Sequence, residues 1–358
     1  MPATSETLTY KSTVALALDK LSPIFEDQIS KNLKAFYFYK KSGNWVGVSS
    51  GGERYRVTLM YGLGNFDPLG SYGYVNVNPP DGITSAFFDW TQFAVPVSIS
   101  EMEEFKTRGT ESVKDILKAR TQQALATAED GFGKGLLQGQ GSVDASSITT
   151  ARVSSTDAGV SFIIPLPLMI KYDPTTSTTI GGINESTNSW WQNQYSVSTA
   201  TTLGDYLFEL DYLWTKCGRG VGGSKAYPDF LLSDEQSFLA YQRALRLIAR
   251  LPDFRKGDIP FENVEYRGQP WMPDELMPDV YTGSTTITRG TVMMCNSNYM
   301  GIAYDKQSNF STGPQVQPEN QLAKTALLKW RGTHWVSNRR KLGVLGAVTV
   351  ATLKSATT

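Results

Sequence analysis

Gly181 to Tyr195 reads GGINESTNSWWQNQY: two adjacent glycines open a short polar segment that ends on the paired tryptophans Trp190 and Trp191. The flanks of this stretch differ in kind. On its N-terminal side, residues 142 to 180 are rich in Ser, Thr and Asp around one apolar run, Phe162 to Ile170. That run carries Pro165 and Pro167, so the region reads as loops and irregular strands. On its C-terminal side, Leu203 to Trp214 has helical spacing and Phe230-Leu231-Leu232 is a short buried strand. Ser233 with Gln236 has the spacing that caps a helix, which then reaches Leu251.

Further out toward the N-terminus the pattern divides into three. Ser12 to Phe36 has apolar residues at helical spacing (Leu16, Leu18, Leu21, Ile24, Phe25, Ile29 and Leu33) with charges between them. From Trp45 to Val97 the period becomes two: Arg54, Arg56 and Thr58 alternate with Tyr55, Val57 and Leu59, followed by Tyr72, Tyr74, Val75 and Val77. Gly62, Gly64, Pro68, Gly70, Pro79, Pro80 and Gly82 punctuate this stretch, which predicts a long, turn-rich hairpin. A strand from Ser85 through Asp89-Trp90 to Ile99 then meets Ser100, which with Glu103 has the spacing of a capping box, so a helix is expected to start here. Gly109 bends or breaks the helix that follows. From Thr110, Val113, Ile116, Leu117, Ala124, Leu125, Ala128, Phe132 and Leu136 recur every three to four residues until Gly135, Gly139 and Gly141. Some 26 residues of helix would span about 40 Å, a structural spine.

Beyond Leu251, Asn263 to Arg267 and Thr291 to Tyr304 read as strands, separated by the turn region PWMPDELMPD. Ala326 to Trp335 and Lys341 to Leu353 read as the closing strands, and no internal repeat is visible.

Composition narrows the function. The 358 residues make about two domains and bury a sizeable core. Lys plus Arg and Asp plus Glu both number 34, a formal net charge of zero. Gripping a duplex through many phosphates calls for a basic excess, whereas a wall that encloses nucleic acid without holding it does not. Cys217 and Cys295 match no paired metal spacing and make no disulfide framework, which suits a reducing compartment. The start, MPATSETLTYKSTVALALDKL, does not read as a signal peptide, and no run approaches the ~18 apolar residues of a membrane helix. The sequons at Asn184 and Asn309 are read as chance matches.

Taken in order, these segments resemble the major capsid proteins of tailed bacteriophages with the Hong Kong 97-type fold, an α+β class. The likeness rests on an N-terminal arm, a glycine-punctuated hairpin closing on Asp89-Trp90, Ser100 with a long helix, and GGIN with Trp191 and Asn193. Tyr227-Pro228-Asp229-Phe230-Leu231-Leu232-Ser233, the helix containing Tyr241, Trp330-Arg331-Gly332 and Asn338-Arg339-Arg340 fit the same family. Each motif is weak alone, and their order over most of the chain carries the resemblance.

The resemblance implies an arm at 1–43, an E-loop hairpin at 44–96 and a P domain at 97–195 with its spine at about 100–137. It further implies an A domain at 196–321 and return strands at 322–358. It implies pentamers and hexamers of an icosahedral head around double-stranded DNA, with a portal and a separate scaffold, protease or decoration protein as partners. No membrane and no cofactor are implied. Some relatives cross-link through an E-loop lysine, but no lysine lies between Gly43 and Val97, so noncovalent contacts are expected here. No long helical region precedes the arm, so a fused scaffold is not expected.

Subunit-interface candidates follow. Arg54 and Arg56 share one ribbon face and would pair with Glu101, Glu103 or Glu104 of a neighbour, or else stand solvated. Trp90, Trp190 and Trp191 are either interface anchors or core residues.

The enzymatic readings fare worse. His334, in Gly332-Thr333-His334-Trp335, is the single imidazole and lies in a strand, the setting of a structural histidine. Gly131, Gly133, Lys134 and Gly135 lack the Ser or Thr of a phosphate loop and end a helix instead of opening one. Pairs such as Glu103-Glu104 and Asp274-Glu275 are read as exposed acids rather than glycosidase carboxylates. A tail or receptor-binding protein is the remaining alternative, disfavoured by the long spine and terminal arm.

Overall fold

The computed structural model describes residues 33–49, 51–75, 77–78, 81–102, 110–137, 163–175, 179–220, 223–248, 264–277, 280–281, 287–288, 290–313, 316–317, 322–348 and 353. Most of the expected arm, with Glu103, Glu104 and Gly109, lies outside these residues. The described chain opens with α1 (Lys34–Ser42), which buries Ala35, Phe36, Phe38 and Tyr39. It stops at Gly43, whose φ of 79° only glycine adopts cheaply, and leads into β1 (Trp45–Val48).

The hairpin is β2 (Arg54–Met60) against β3 (Ile83–Asp89), in register from Arg54↔Asp89 to Met60↔Ile83. The period-two pattern is realised along β2, where Leu59 is buried, Tyr55 and Val57 are half-buried, and Arg54, Arg56 and Thr58 face out. None of the described residues between 61 and 82 is in a strand, although the sequence from Tyr72 to Val77 alternates as one would.

After Trp90, β4 (Thr91–Ser100) turns from the ribbon into the body. Residues 101 and 102 are helical, with the Met102 N–H donating to Ser100 Oγ at 3.3 Å. The spine is α2 (Thr110–Leu137), whose 28 residues span about 42 Å. It runs through Gly131, Gly133 and Gly135 before stopping. A Cβ on Gly133 would come within 2.9 Å of Leu33 and 2.7 Å of Leu276, so this glycine permits close packing and does not end the helix.

The proline-bearing run expected to be irregular strand contains instead a helical turn, α3 (Leu166–Met169), with Pro167 in its first turn, where no intrahelical N–H is needed. Next come β5 (Thr179–Ile180), β6 (Ile183–Asn184), β7 (Gln194–Val197), α4 (Leu203–Gly218), β8 (Phe230–Ser233) and α5 (Glu235–Ile248). The capping box of α4 pairs Thr202 with Asp205. For α5 the cap is Asp234, which accepts from the Ser237 N–H at 3.2 Å, and not Ser233, whose hydroxyl accepts from Trp271 Nε1 at 2.7 Å.

The chain ends through β9 (Val264–Tyr266), β10 (Gln269–Pro273), β11 (Val280–Tyr281), β12 (Ile287–Thr288), β13 (Val292–Cys295), β14 (Met300–Asp305), β15 (Ser311–Thr312), β16 (Ala323–Val336) and β17 (Gly343–Gly346). The PWMP of the expected turn is therefore all strand, and the last described strand is four residues long.

Two sheets organise the body. In the first, β16 pairs with β14, β15 and β4, and β1 adds in parallel to β14. The second has the order β7-β17-β13-β8-β10-β9. Its central strands send alternate residues to two cores. Phe230, Leu232, Met293, Cys295 and Val344 join α1, α2 and the first sheet, while Leu231, Val292, Met294 and Leu345 pack under α4 and α5. A sheet covered on both faces needs unbroken apolar strands, which is why Phe230 to Leu232 and Val292 to Cys295 read as continuous runs. No described helix is long and apolar enough to cross a membrane.

Candidate assembly surface and its anchor

Between Met60 and Ile83 the hairpin presents many apolar side chains to solvent. Met60, Leu63, Phe66, Leu69, Val77 and Ile83 are exposed, and Tyr72 and Tyr74 are each 97% exposed. At the neck of the ribbon Gly62 and Gly82 touch: a Cβ on Gly82 would lie 2.9 Å from Gly62 O. The Tyr61 N–H donates to Gly82 O at 2.9 Å, closing the strands before the tip opens out. Exposed apolar side chains gathered in this way on one element are a feature of interaction surfaces.

The GGIN segment anchors this ribbon. Gly181 (φ 63°) and Gly182 (φ 80°) form the two-residue turn between β5 and β6, the left-handed pair that suits a tight hairpin. The Phe87 N–H donates to Gly181 O at 3.0 Å, and a Cβ on Gly181 would stand 2.8 Å from that of Ala86. Glycine thus lets the turn lie directly on β3. Trp190 stacks on Tyr61 with ring centroids 4.8 Å apart, a second tie between the segment and the ribbon.

Behind the turn lies a buried charged cluster. Glu185 is fully buried; its carboxylate accepts from Lys171 Nζ at 3.0 Å and from Arg339 Nη1. Arg339, also fully buried, donates Nε to Met169 O at 2.9 Å and Nη2 to Asn193 Oδ1 at 3.2 Å. The Asn193 amide spans the Lys171 backbone, accepting from its N–H at 3.0 Å and donating to its carbonyl at 2.7 Å. Trp191 closes the cluster, donating Nε1 to Ile180 O at 3.1 Å, with the Arg339 guanidinium 6.0 Å from its ring centre. Burial alone pulls the Arg339 pKa down and Glu185 opposes that shift, so the guanidinium depends on its carboxylate. The cluster joins three stretches of chain: the segment around Met169, GGIN to Asn193, and the helical turn Arg339–Lys341 just before β17.

The other candidates fall in different places. Arg54 pairs with Asp89 at 2.8 Å across its own ribbon, and Arg56 donates to Ser85 Oγ at 2.9 Å, both on the exposed face. Glu101 accepts from Gln317 Nε2 at 2.9 Å. Trp90 is half-buried beside Tyr55, with ring centroids 6.0 Å apart, whereas Trp191, 1% exposed, belongs to the core and not to a surface. Lys171, Glu185 and Arg339 had no role in the sequence reading, although GGIN, Asn193 and Asn338-Arg339-Arg340 marked their neighbourhood.

His334 is structural. Its ring nitrogens meet Tyr39 Oη at 3.0 Å and Ile164 O at 2.9 Å, and burial holds its pKa down at about 4. A neutral imidazole with both nitrogens bonded is not poised as a general base.

This architecture is that of known shells. The capsid asymmetric unit of cyanophage A-1(L) matches with a TM-score of 0.58 at 14% identity, over 87% of this chain and 93% of that one. The capsid of the native GTA particle, computed with C5 symmetry, matches with a TM-score of 0.51 at 10% identity, over 87% and 91%. The chain has the Hong Kong 97-type capsid fold. No family profile matches the sequence, and no curated protein does. At such identities the likeness to Hong Kong 97-type shells is one of fold, and the contacts of this subunit have to be read from its own residues.

Proposed function

We propose that this chain is a major capsid protein of a tailed bacteriophage, a structural and not a catalytic protein. It assembles into pentamers and hexamers of an icosahedral head that encloses double-stranded DNA without sequence-specific contacts. The observation that carries the reading is the hairpin: a two-stranded ribbon with an exposed aromatic tip needs a surface to rest on, and a neighbouring subunit supplies one. On this reading residues 44–96 are the E-loop, 97–195 the P domain with α2 as spine, 196–321 the A domain and 322–358 the return strands, with 1–43 as the arm.

The partners are further copies of the chain, a portal protein, and a separate scaffold, protease or decoration protein. The site of action is the virion shell, assembled in the cytoplasm of a bacterial host. Individually weak contacts suffice in a closed lattice, because a millimolar contact is worth about 4 kcal/mol and each further contact forms at high effective concentration.

Negative-stain microscopy with sedimentation tests this. The protein, expressed alone or with the products of the adjacent reading frames, is expected to form closed shells or rings of five or six. A strict monomer under both conditions would reject the capsid reading in favour of a tail or receptor-binding role.

A further inference from the structure

A groove runs between α2, α5 and the turn that follows β10. Apolar Ala126, Phe238, Leu239 and Leu276 line it, Leu239 being 50% exposed. So do five acids, Glu129, Asp130, Glu235, Asp274 and Glu275, of which Asp274, read from the sequence as an exposed acid, has a side chain only 12% exposed. Lys34 sits 3.8 Å from Asp274 and Lys134 2.7 Å from Asp130, so two lysines stand against five carboxylates. An acidic groove that also carries exposed apolar side chains fits a basic amphipathic helix end, whose alkyl stems cover the apolar groups while its charges meet the carboxylates.

The complementary feature lies on α5 itself. Its solvent face runs Glu235, Leu239, Arg243, Arg246, residues that recur every three or four positions. One face of a single helix is therefore acidic where it lines the groove and basic about 16 Å further along. Held on a rigid helix, these two ends cannot meet within one copy, but they can between two.

We infer that the groove receives the Arg243–Arg246 end of α5 from a second copy of the chain. The contact is head-to-tail: each copy offers its basic end to one neighbour and its groove to the other, the arrangement that closes into rings. Arginine suits this role, since its guanidinium binds carboxylates in a fixed fork while its stem packs on Leu239 and Phe238. The inference rests on the self-assembly reading and names one of its interfaces.

A charge swap tests it. Arg243→Glu, the groove pair Glu129→Lys with Glu275→Lys, and all three changes together are compared with wild type by sedimentation and negative stain. Folding is checked for each by circular dichroism. Each reversal is expected to raise the protein concentration needed for half-assembly about tenfold or more. The combined swap should restore assembly toward the wild-type level. Reversals without effect, or a combined swap that restores nothing, would overturn the inference while wild-type shells still stood. If the groove variant fails to assemble and Arg243→Glu does not, the occupant is a different basic protein and the inference is wrong. A wild type that never assembles sinks the capsid reading as well.

Discussion

The hairpin and the cluster behind its anchor invert the usual rule of burial in opposite directions. The tip places Phe66, Tyr72 and Tyr74 in solvent, each more than 90% exposed, while a few residues from the ribbon's contact with Gly181 the cluster takes Glu185 and Arg339 out of water completely. Exposed aromatics carry no information about the stability of the chain that bears them; their energy is realised when something covers them. Buried charges do the reverse. They gain little over apolar packing of the same shape, but removing one partner strands the others, so they tie three distant segments to one arrangement. The comparison therefore predicts that substitutions at the two regions separate cleanly, the cluster changing folding and the tip changing association.

The largest loss should come from Glu185→Gln. It leaves Lys171 and Arg339 buried beside a neutral amide, and denaturant unfolding of the subunit should show about 3 to 5 kcal/mol of destabilisation. A loss below ~1 kcal/mol would mean that water or a rearranged carboxylate reaches the cluster, and the contrast with the tip would dissolve.

Next come two opposed titrations in the same core. Burial holds the His334 pKa at about 4, against 6.5 for a free imidazole. Its contribution to stability is therefore complete above pH 6.5 and is lost as the pH falls toward 4. Burial pushes the Asp229 carboxyl from 3.8 up to about 6, an effect that its hydrogen bonds from Ser297 and the charge of Lys41 only partly offset. Acid thus relieves Asp229 between pH 6 and 3.8, over nearly the window in which it penalises His334. Each effect is worth about 3 kcal/mol, so the two nearly cancel. Relative to wild type, Asp229→Asn should lose about 3 kcal/mol on going from pH 6.5 to 4, and His334→Gln should gain a similar amount. Unfolding curves for both variants that stay parallel to wild type across this range would remove the pair from the account.

Smaller again is Gly181→Ala. A left-handed φ costs an alanine roughly 1 to 2 kcal/mol, and its Cβ would press on Ala86. A loss of about 2 kcal/mol is expected, with faster amide exchange along Ile83–Asp89, because the turn holds the ribbon to the body. Exchange unchanged in β3 would show that Trp190 on Tyr61 is sufficient to hold it.

What the sequence showed and what it hid follow the same division. The alternation from Arg54 to Leu59 and the runs at Phe230 and Val292 are local patterns, and they named the ribbon and two strands of the second sheet, though not that both faces of those strands are covered. The cluster was hidden because its members are 14 and 154 residues apart and nothing in Asn184-Glu185-Ser186-Thr187 distinguishes a buried carboxylate from a loop acid. Ser233 was misread as a helix cap for a related reason: Trp271, 38 residues away, takes its hydroxyl, and Asp234 caps instead. The alternation from Tyr72 to Val77 misled in the opposite way, by resembling a strand where the described residues form none.

The tip supplies the smallest expected effect on the subunit and the sharpest test of the comparison. Substituting Phe66, Tyr72 and Tyr74 together by Ser removes three aromatic rings that are almost wholly in solvent, so unfolding should shift by no more than about 0.5 kcal/mol. Among the described residues these rings are the most exposed aromatics, and on the capsid reading they are anchors of the kind whose truncation costs binding about 2 kcal/mol or more each. The triple variant should therefore fold as wild type and yet remain unassembled at concentrations where wild type forms shells. If it loses stability instead, the tip packs on its own chain. If it assembles normally, the neighbouring subunit grips the ribbon below the glycine neck, along Met60 and Ile83, and the exposed rings serve a different partner.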